Sequence, residues 1–210
     1  VARREVTVAL SGDGGDELFG GYTWMHRNHA VAGYRRTPAW VRRLLGGGLR
    51  LAPDRPIWNK ARRFNADAFL SPDESFRRRL TCFTPAQRAA LMRSRAAAPD
   101  RFLEHAQTAR DCSADDRMLF IDTVMYLPDD ILTKVDRMSM AHGLEARVPM
   151  LDHRLVEFAG TVPFSLKYAG GVSKRLMKHA MRGRLPAALL RQRKRGFSIP
   201  VQRWFREDLA

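Results

Sequence analysis

Residues 6–22, VTVALSGDGGDELFGGY, constrain the fold more than any other stretch of the chain. Val6, Thr7, Val8, Ala9 and Leu10 form an apolar, β-branched run without clean alternation. That is the pattern of a strand buried on both faces of a parallel sheet. The run breaks into Ser11-Gly12-Asp13-Gly14-Gly15-Asp16, whose glycines permit positive φ and a close approach to a ligand. Glu17, Leu18 and Phe19 then open a helix. Strand, glycine-rich turn and helix N-terminus is the geometry that presents backbone N–H groups to a phosphate.

Two phosphate motifs are excluded. The third glycine of the dinucleotide fingerprint is replaced by Glu17, and no Gly-Lys-Ser/Thr follows to make a Walker loop. Asp13, Asp16 and Glu17 would repel a bare phosphate, so Mg²⁺ bridging carboxylate and phosphate is the natural resolution. The residues alone equally allow a βα turn whose acids cap the helix and favour its dipole.

The chain has 210 residues, 45% hydrophobic and 28% charged, enough for one domain with a sizeable core. No apolar run approaches the roughly 20 residues of a membrane span, and no secretory signal pattern occurs. Cys82 and Cys112 have no metal or CxxC spacing, which suits cytoplasmic thiols. The net charge of +15 raises nucleic acid as a partner. The basic residues are scattered, however, and no RNP, helix-turn-helix or zinc spacing accompanies them. A solvated basic surface fits better than nucleic-acid binding.

Val1 is not Met, and a core-type strand starts at once, so most of the sheet is expected upstream of residue 1. Downstream of the loop helix signals dominate, and no second parallel-type strand is evident. Thr37-Pro38 reads as an N-cap ahead of Trp40, Val41, Leu44 and Leu45, with Gly46-Gly47-Gly48 weakening or ending that helix. Ser71-Pro72-Asp73-Glu74 and Thr84-Pro85-Ala86-Gln87 fit the capping box. Residues 35–112 therefore read as a helical insertion, with Ala96-Ala97-Ala98-Pro99 as a loop and no evident chemistry.

Ser113 caps a helix with Met118, Leu119, Ile121, Val124 and Met125 on its apolar face. Ile131, Val135, Met138 and His142 recur at helical spacing and should face the core. Gly143 suits a C′ position. Residues 145–149 run extended before Pro149 and display Glu145 and Arg147 on one side, where a structural salt bridge is the plain alternative to chemistry. Asp152 caps a further helix. Residues 165–172 suggest a hairpin around Gly170-Gly171, and Ser173 a cap for residues 174–182. The Arg193-Lys194-Arg195 cluster is, by composition, a basic surface loop, and residues 201–205 promise a last helix.

SGDGGDELFGGY resembles the second nucleotide-site motif in the ATP-using domain of the asparagine synthetase family. LPDDILTKVDRMSMAHGLEARVPMLD, residues 127–152, and RKRGFSIP, residues 193–200, resemble two later motifs in family order. The resemblance implies an α/β synthetase domain of the adenine-nucleotide alpha-hydrolase type. Its span here is mainly helical, with one parallel-type core strand near the N-terminus. It implies an ATP-dependent ligase of asparagine biosynthesis. Such an enzyme activates a carboxylate, aspartate by expectation, as an acyl-adenylate and then transfers ammonia from glutamine.

On that resemblance Ser11, Gly12, Asp13, Gly14 and Gly15 would bind ATP and pyrophosphate. Asp13 and Glu17 would hold Mg²⁺, with Asp16 and Asp136 as further substrate or Mg²⁺ contacts. Lys194, Glu145 and Arg137 would be catalytic, with Arg195 competing for the role of Lys194. The family's Ser-Gly-Gly-x-Asp-Ser pyrophosphatase loop and its leading-cysteine glutaminase domain do not occur, and neither Cys82 nor Cys112 can stand in. The chain is thus expected to be one part, residues 1–34, 35–112 and 113–210 in sequence, of a longer cytoplasmic amidotransferase. It should be inactive alone, partnered by its glutaminase domain, and compatible with a homodimer. A relative amidating a polysaccharide or peptide precursor, and a non-catalytic basic module, are the alternatives.

Overall fold

A computed structural model describes residues 1–83, 85–92, 100–192, 194 and 201–208, with 85, 86, 202 and 208 described by backbone alone. A short 3₁₀ turn, Ala2–Arg4, precedes β1, Val8–Leu10. A second strand, β2, Glu145–Arg147, corrects the expectation of a single strand. It pairs with β1 in parallel, with Val8 opposite Glu145 and Leu10 opposite Arg147. Pro149 keeps Val148, directly after β2, out of the helical region. The burial pattern of β1 also differs from the expectation: Val8 is 38% and Leu10 75% exposed.

The glycine-rich turn leads into α1, Gly15–Phe19, and then α2, Trp24–Tyr34. α3, Ala39–Leu51, runs straight through Gly46-Gly47-Gly48 and packs on α4, Pro56–Asp67. The glycines do not end α3 because Gly46 is a point of close approach, where a Cβ would sit 2.6 Å from Asn65 Nδ2. The N-cap of α3 is Pro38, and the Thr37 hydroxyl instead donates to Tyr34 O at 2.7 Å. α5, Pro72–Leu80, carries the expected reciprocal capping box of Ser71 and Glu74. α6, Pro85–Leu91, and α7, Arg101–Thr108, follow. Thr84 and residues 96–99, where a cap and a loop were expected, lie outside the described residues.

The centre of the molecule is one continuous helical run. It comprises α8, Ala114–Ile121, a π-helical segment, Asp122–Leu132, and α9, Thr133–Met140. Asp116 N–H donates to Ser113 Oγ at 3.1 Å, as the cap predicts. Pro128 sits inside the run, where it removes one N–H donor and crowds the preceding turn. The wider π geometry accommodates it, and the Thr133 hydroxyl donates to Pro128 O at 2.7 Å. The predicted core face of α9 is corrected: Met138 is 62% exposed, and His142 is exposed beyond the helix end.

Beyond β2 come a 3₁₀ turn, Pro149–Leu151, α10, His153–Thr161, α11, Phe164–Lys167, and α12, Arg175–Ala180. α13, Ala187–Arg191, and α14, Val201–Arg203, are the last helices among the described residues, α14 passing into a π turn, Trp204–Asp208. Asp152 caps α10, accepting from Arg154 N–H at 3.0 Å. The expected hairpin reduces to a single Ala169–Val172 bridge around two positive-φ glycines, because its first arm is helical. Lys174, not Ser173, occupies the N-cap position of α12, with no side-chain cap hydrogen bond.

Three apolar clusters surround the central run. Met25, Leu119, Phe164 and Tyr168 form one, and Phe76, Phe102, Met118 and Ile121 another. Leu18, Phe19 and Ala159 join α1 to α10 in the third. Phe76 is 1% exposed, so Phe76→Ala should cost about 3–5 kcal/mol. Asp67 of α4, buried, takes Arg27 of α2 and, at 3.9 Å, Arg78 of α5, which ties these helices together. No described helix is long and apolar enough to cross a membrane.

Candidate functional site

The loop between β1 and α1 stands at the C-terminal edge of the strand pair, where Ser11 N–H donates to Arg147 O at 2.8 Å. Gly14, φ +80°, turns the chain into α1, and Gly20, φ +70°, turns it out again. Neither conformation suits an L side chain, and a Cβ on Gly14 would also meet Leu151 Cδ2 at 2.3 Å. The five residues of α1 divide between two environments. Glu17, Leu18 and Phe19 are buried, and Asp16 is half-buried at the loop side.

Two lysines converge on Asp16. Lys174 Nζ lies 2.9 Å from its Oδ1, and Lys194 Nζ donates to its Oδ2. Burial alone would raise the Asp16 pKa, but the hydrogen bonds and charges of the two lysines outweigh it and hold the carboxyl below its ordinary value. The cluster needs Gly21 bare. A Cβ there would sit 1.8 Å from Asp16 Oδ1 and 2.3 Å from Lys174 Cε. Lys174 has φ 53°, the only non-glycine residue with positive φ among the described residues. Such a conformation costs of order 1–3 kcal/mol and persists only where surrounding contacts impose it. The Lys174 N–H to Gly20 O bond, 3.3 Å, is one such contact.

On the buried side, the Tyr22 hydroxyl donates to Glu17, which is 2% exposed. Burial raises the Glu17 pKa, and the Tyr22 hydrogen bond only partly opposes it. Burial also raises Tyr22 itself. Asp122, as buried as Glu17, accepts from Trp24 Nε1 at 3.0 Å, and burial pushes it up to about 7.

Beside Lys194 opens a cavity of about 550 Å³ whose lining includes Thr23, His26, Ser173, Lys178 and Arg191. It is polar and cationic, so it suits an anion. Tyr22 also offers its ring face to Lys194 Nζ, 6.0 Å from the centroid.

The fold brings Ser11, Gly12, Asp13, Gly14, Gly15, Asp16 and Lys194 to one place. Ser11 Oγ donates to Asp13. Glu145 pairs with Arg147 at 2.8 Å on exposed β2, the plain alternative anticipated for this spacing. Arg137 and Asp136 are exposed on α9, with no side-chain hydrogen bond or ion pair among the described residues. Arg195 lies outside those residues.

The expected Mg²⁺ pair of Asp13 and Glu17 is divided, because Glu17 turns inward onto Tyr22. No group of three His, Cys, Asp or Glu that could hold a metal occurs among the described residues. Among the described residues Asp13 and Glu17 therefore do not converge on one cation, and Asp13 alone faces the loop side with Asp16. Lys174 and Tyr22 were not singled out from the sequence. Lys174 is one basic residue among many, and only its contact with Asp16 distinguishes it.

The chain matches the asparagine synthase family model over residues 1–210. It is 28% identical to asparagine synthetase [glutamine-hydrolyzing] 1 of Bacillus subtilis, over 99% of this chain and 33% of that protein. A putative asparagine synthetase of Mycobacterium tuberculosis H37Rv is 31% identical over 98% of this chain and 31% of its own length. The asparagine synthetase of Gallus gallus is 36% identical over 39% of this chain and 15% of its own. The chain thus spans about a third of the length of the bacterial relatives. No solved structure matches it.

Proposed function

The chain belongs to the asparagine synthase family, and from that premise we propose that it carries the phosphate-handling part of an ATP-dependent, amide-forming site. The observation that carries this proposal is the convergence of Lys174 and Lys194 on Asp16 beside the glycine-rich loop. A carboxylate attacking a polyphosphate brings anion against anion, and fixed cations in a partly dry site offset that repulsion. Asp16 holds the two ammonium groups ready, and the cationic cavity beside Lys194 extends the same field.

In the proposed reaction an oxygen of the substrate carboxylate, aspartate by resemblance, attacks the α-phosphorus of ATP. The bond from that phosphorus to the bridging oxygen breaks, and pyrophosphate leaves with its electron pair. Lys194, on a loop, can follow the growing charge from Asp16 onto the departing phosphates. Lys174 is held more firmly by its place at the start of α12. Ammonia, released from glutamine elsewhere in the longer protein, then adds to the acyl carbon and loses a proton as AMP departs. Mg²⁺ belongs to this proposal only as the nucleotide's counter-ion. Cytoplasmic location belongs to it as well.

The test is pyrophosphate release by the full-length enzyme with ATP, aspartate and ammonia. Lys174→Ala and Lys194→Ala should each lower kcat by about 10²–10³. For Lys194→Ala the apparent ATP KM should stay nearly constant, because its contact strengthens in the transition state. Retention of kcat within about twofold by both variants would reduce the cluster to an ordinary ion pair and overturn the proposal.

A further inference from the structure

A second cavity, of about 380 Å³, is lined by Glu17 and Leu18 of α1 but not by Asp16. Leu119, Phe120, Val124 and Val156 give it an apolar wall, and Lys167, the last residue of α11, lines it as well. Lys167 is 5% exposed. Among the described residues no carboxylate lies within 4.0 Å of its ammonium and no side-chain hydrogen bond satisfies it. A buried cation is ordinarily paired. Asp116, on the same lining, acts on Lys167 only at longer range, and its carboxylate accepts from Ser113 Oγ at 2.7 Å. Glu17 is taken by Tyr22. Burial pushes the Lys167 ammonium below its ordinary pKa, against the partial relief from Asp116.

The cavity therefore combines a cation that has no direct partner among the described residues with an apolar wall, in a volume within the usual range for small-molecule sites. We propose that it binds a small amphiphilic monocarboxylate, with the carboxylate on Lys167 and the apolar chain against Leu119, Phe120, Val124 and Val156. A dianion such as a phosphate monoester fits less well, because the two acids on the lining would repel its second charge. Such a ligand would lie against the same helix that carries Asp16, behind the residue rather than in front of it.

Octanoate is a suitable probe, and octan-1-ol its uncharged match, both titrated calorimetrically into the full-length protein. Octanoate should bind saturably, with a Kd below about 1 mM and at least about tenfold below that of octan-1-ol. Lys167→Met should erase the preference for the carboxylate. Gly160→Leu is the second variant. Gly160 lines the cavity, and a Cβ added there meets nothing within 4 Å, so the larger side chain can enter without a clash. It should weaken octanoate at least about tenfold while pyrophosphate release stays within about twofold. Should Lys167→Met fail to fold, Gly160→Leu decides alone. No saturable octanoate binding, equal binding of octan-1-ol, or octanoate binding unchanged in a folded variant would overturn the proposal.

Discussion

Asp16 and Glu17 are adjacent in the chain yet occupy opposite electrostatic regimes. Asp16 sits at the loop face of α1 under two ammonium groups, and its pKa is held down. Glu17 points into the protein under a phenol, and its pKa is raised. Helical geometry separates them, since consecutive side chains diverge by about 100° around the axis. On the same side Asp122 is a second buried acid, and each of the two carboxylates takes one aromatic donor, Tyr22 on Glu17 and Trp24 on Asp122. The difference teaches that an acidic cluster in sequence need not be an acidic cluster in space. One face pairs its carboxylate with two ammonium groups, and the other pairs it with a buried phenol.

The largest effect should come from collapsing the loop face. Gly21→Ala places a methyl group where Asp16 and Lys174 meet. Pyrophosphate release by the full-length enzyme should fall by about 10²-fold or more, with overpacking costing roughly 1–3 kcal/mol in urea unfolding. Near-parental kcat in this variant would show that the Lys174–Asp16 contact is dispensable.

Next comes the pH response of the buried face. Asp122 ionises at about 7 in the native protein against 3.8 in the unfolded chain. The native state therefore holds the extra proton between these values, and stability should fall as pH rises from about 4 to about 7. Glu17 acts with the same sign. Asp16 acts with the opposite sign: its contribution is present above the unfolded value and lost as pH falls through the lower native one. Asp122→Asn keeps a carbonyl for Trp24 and should remove a decline on the order of a few kcal/mol. Urea midpoints taken across that range settle it, and parallel curves for parent and variant would exclude Asp122 as the source.

Tyr22→Phe should be smaller. It leaves the Glu17 carboxylate buried without its donor, a loss of about 1–3 kcal/mol. Adding Glu17→Gln should recover part of it at neutral pH, because the buried charge is gone. Additive losses in the double variant would mean that the two side chains are not coupled.

Smallest of all is the exposed pair on β2. Glu145→Gln breaks its bridge to Arg147 in full solvent, so the melting temperature should stay within about 2 °C. A large fall in kcat with unchanged stability would then add Glu145 to the loop face as a catalytic group. An unchanged kcat would leave it an ion pair.

Much of the local structure follows from short-range chemistry. The caps at Ser71, Ser113 and Asp152 form because side-chain oxygens satisfy orphan N–H groups a few residues away. The β1-turn-α1 unit follows from an apolar run ending in glycines. Local pattern misjudged α3, where three glycines are tolerated because packing against Asn65 requires one of them. It also read residues 145–149 as extended without making them a strand, because β2 lacks the apolar, β-branched run that marks β1 and pairs only when β1 lies beside it.

The candidate site divides along the same line. Ser11, Asp13 and the loop glycines are contiguous, so the chain sequence alone assembles them. Lys194 is 178 residues from Asp16, beyond α13, and their contact depends on tertiary packing that brings it back to α1. The inward turn of Glu17 is equally a packing outcome, set by the apolar contacts of Leu18 and Phe19 with α10. Propensities and caps act over a few residues and are written in order along the chain. Charge pairing and burial depend on distance in space, and these residues acquire them only when the helices close around α1.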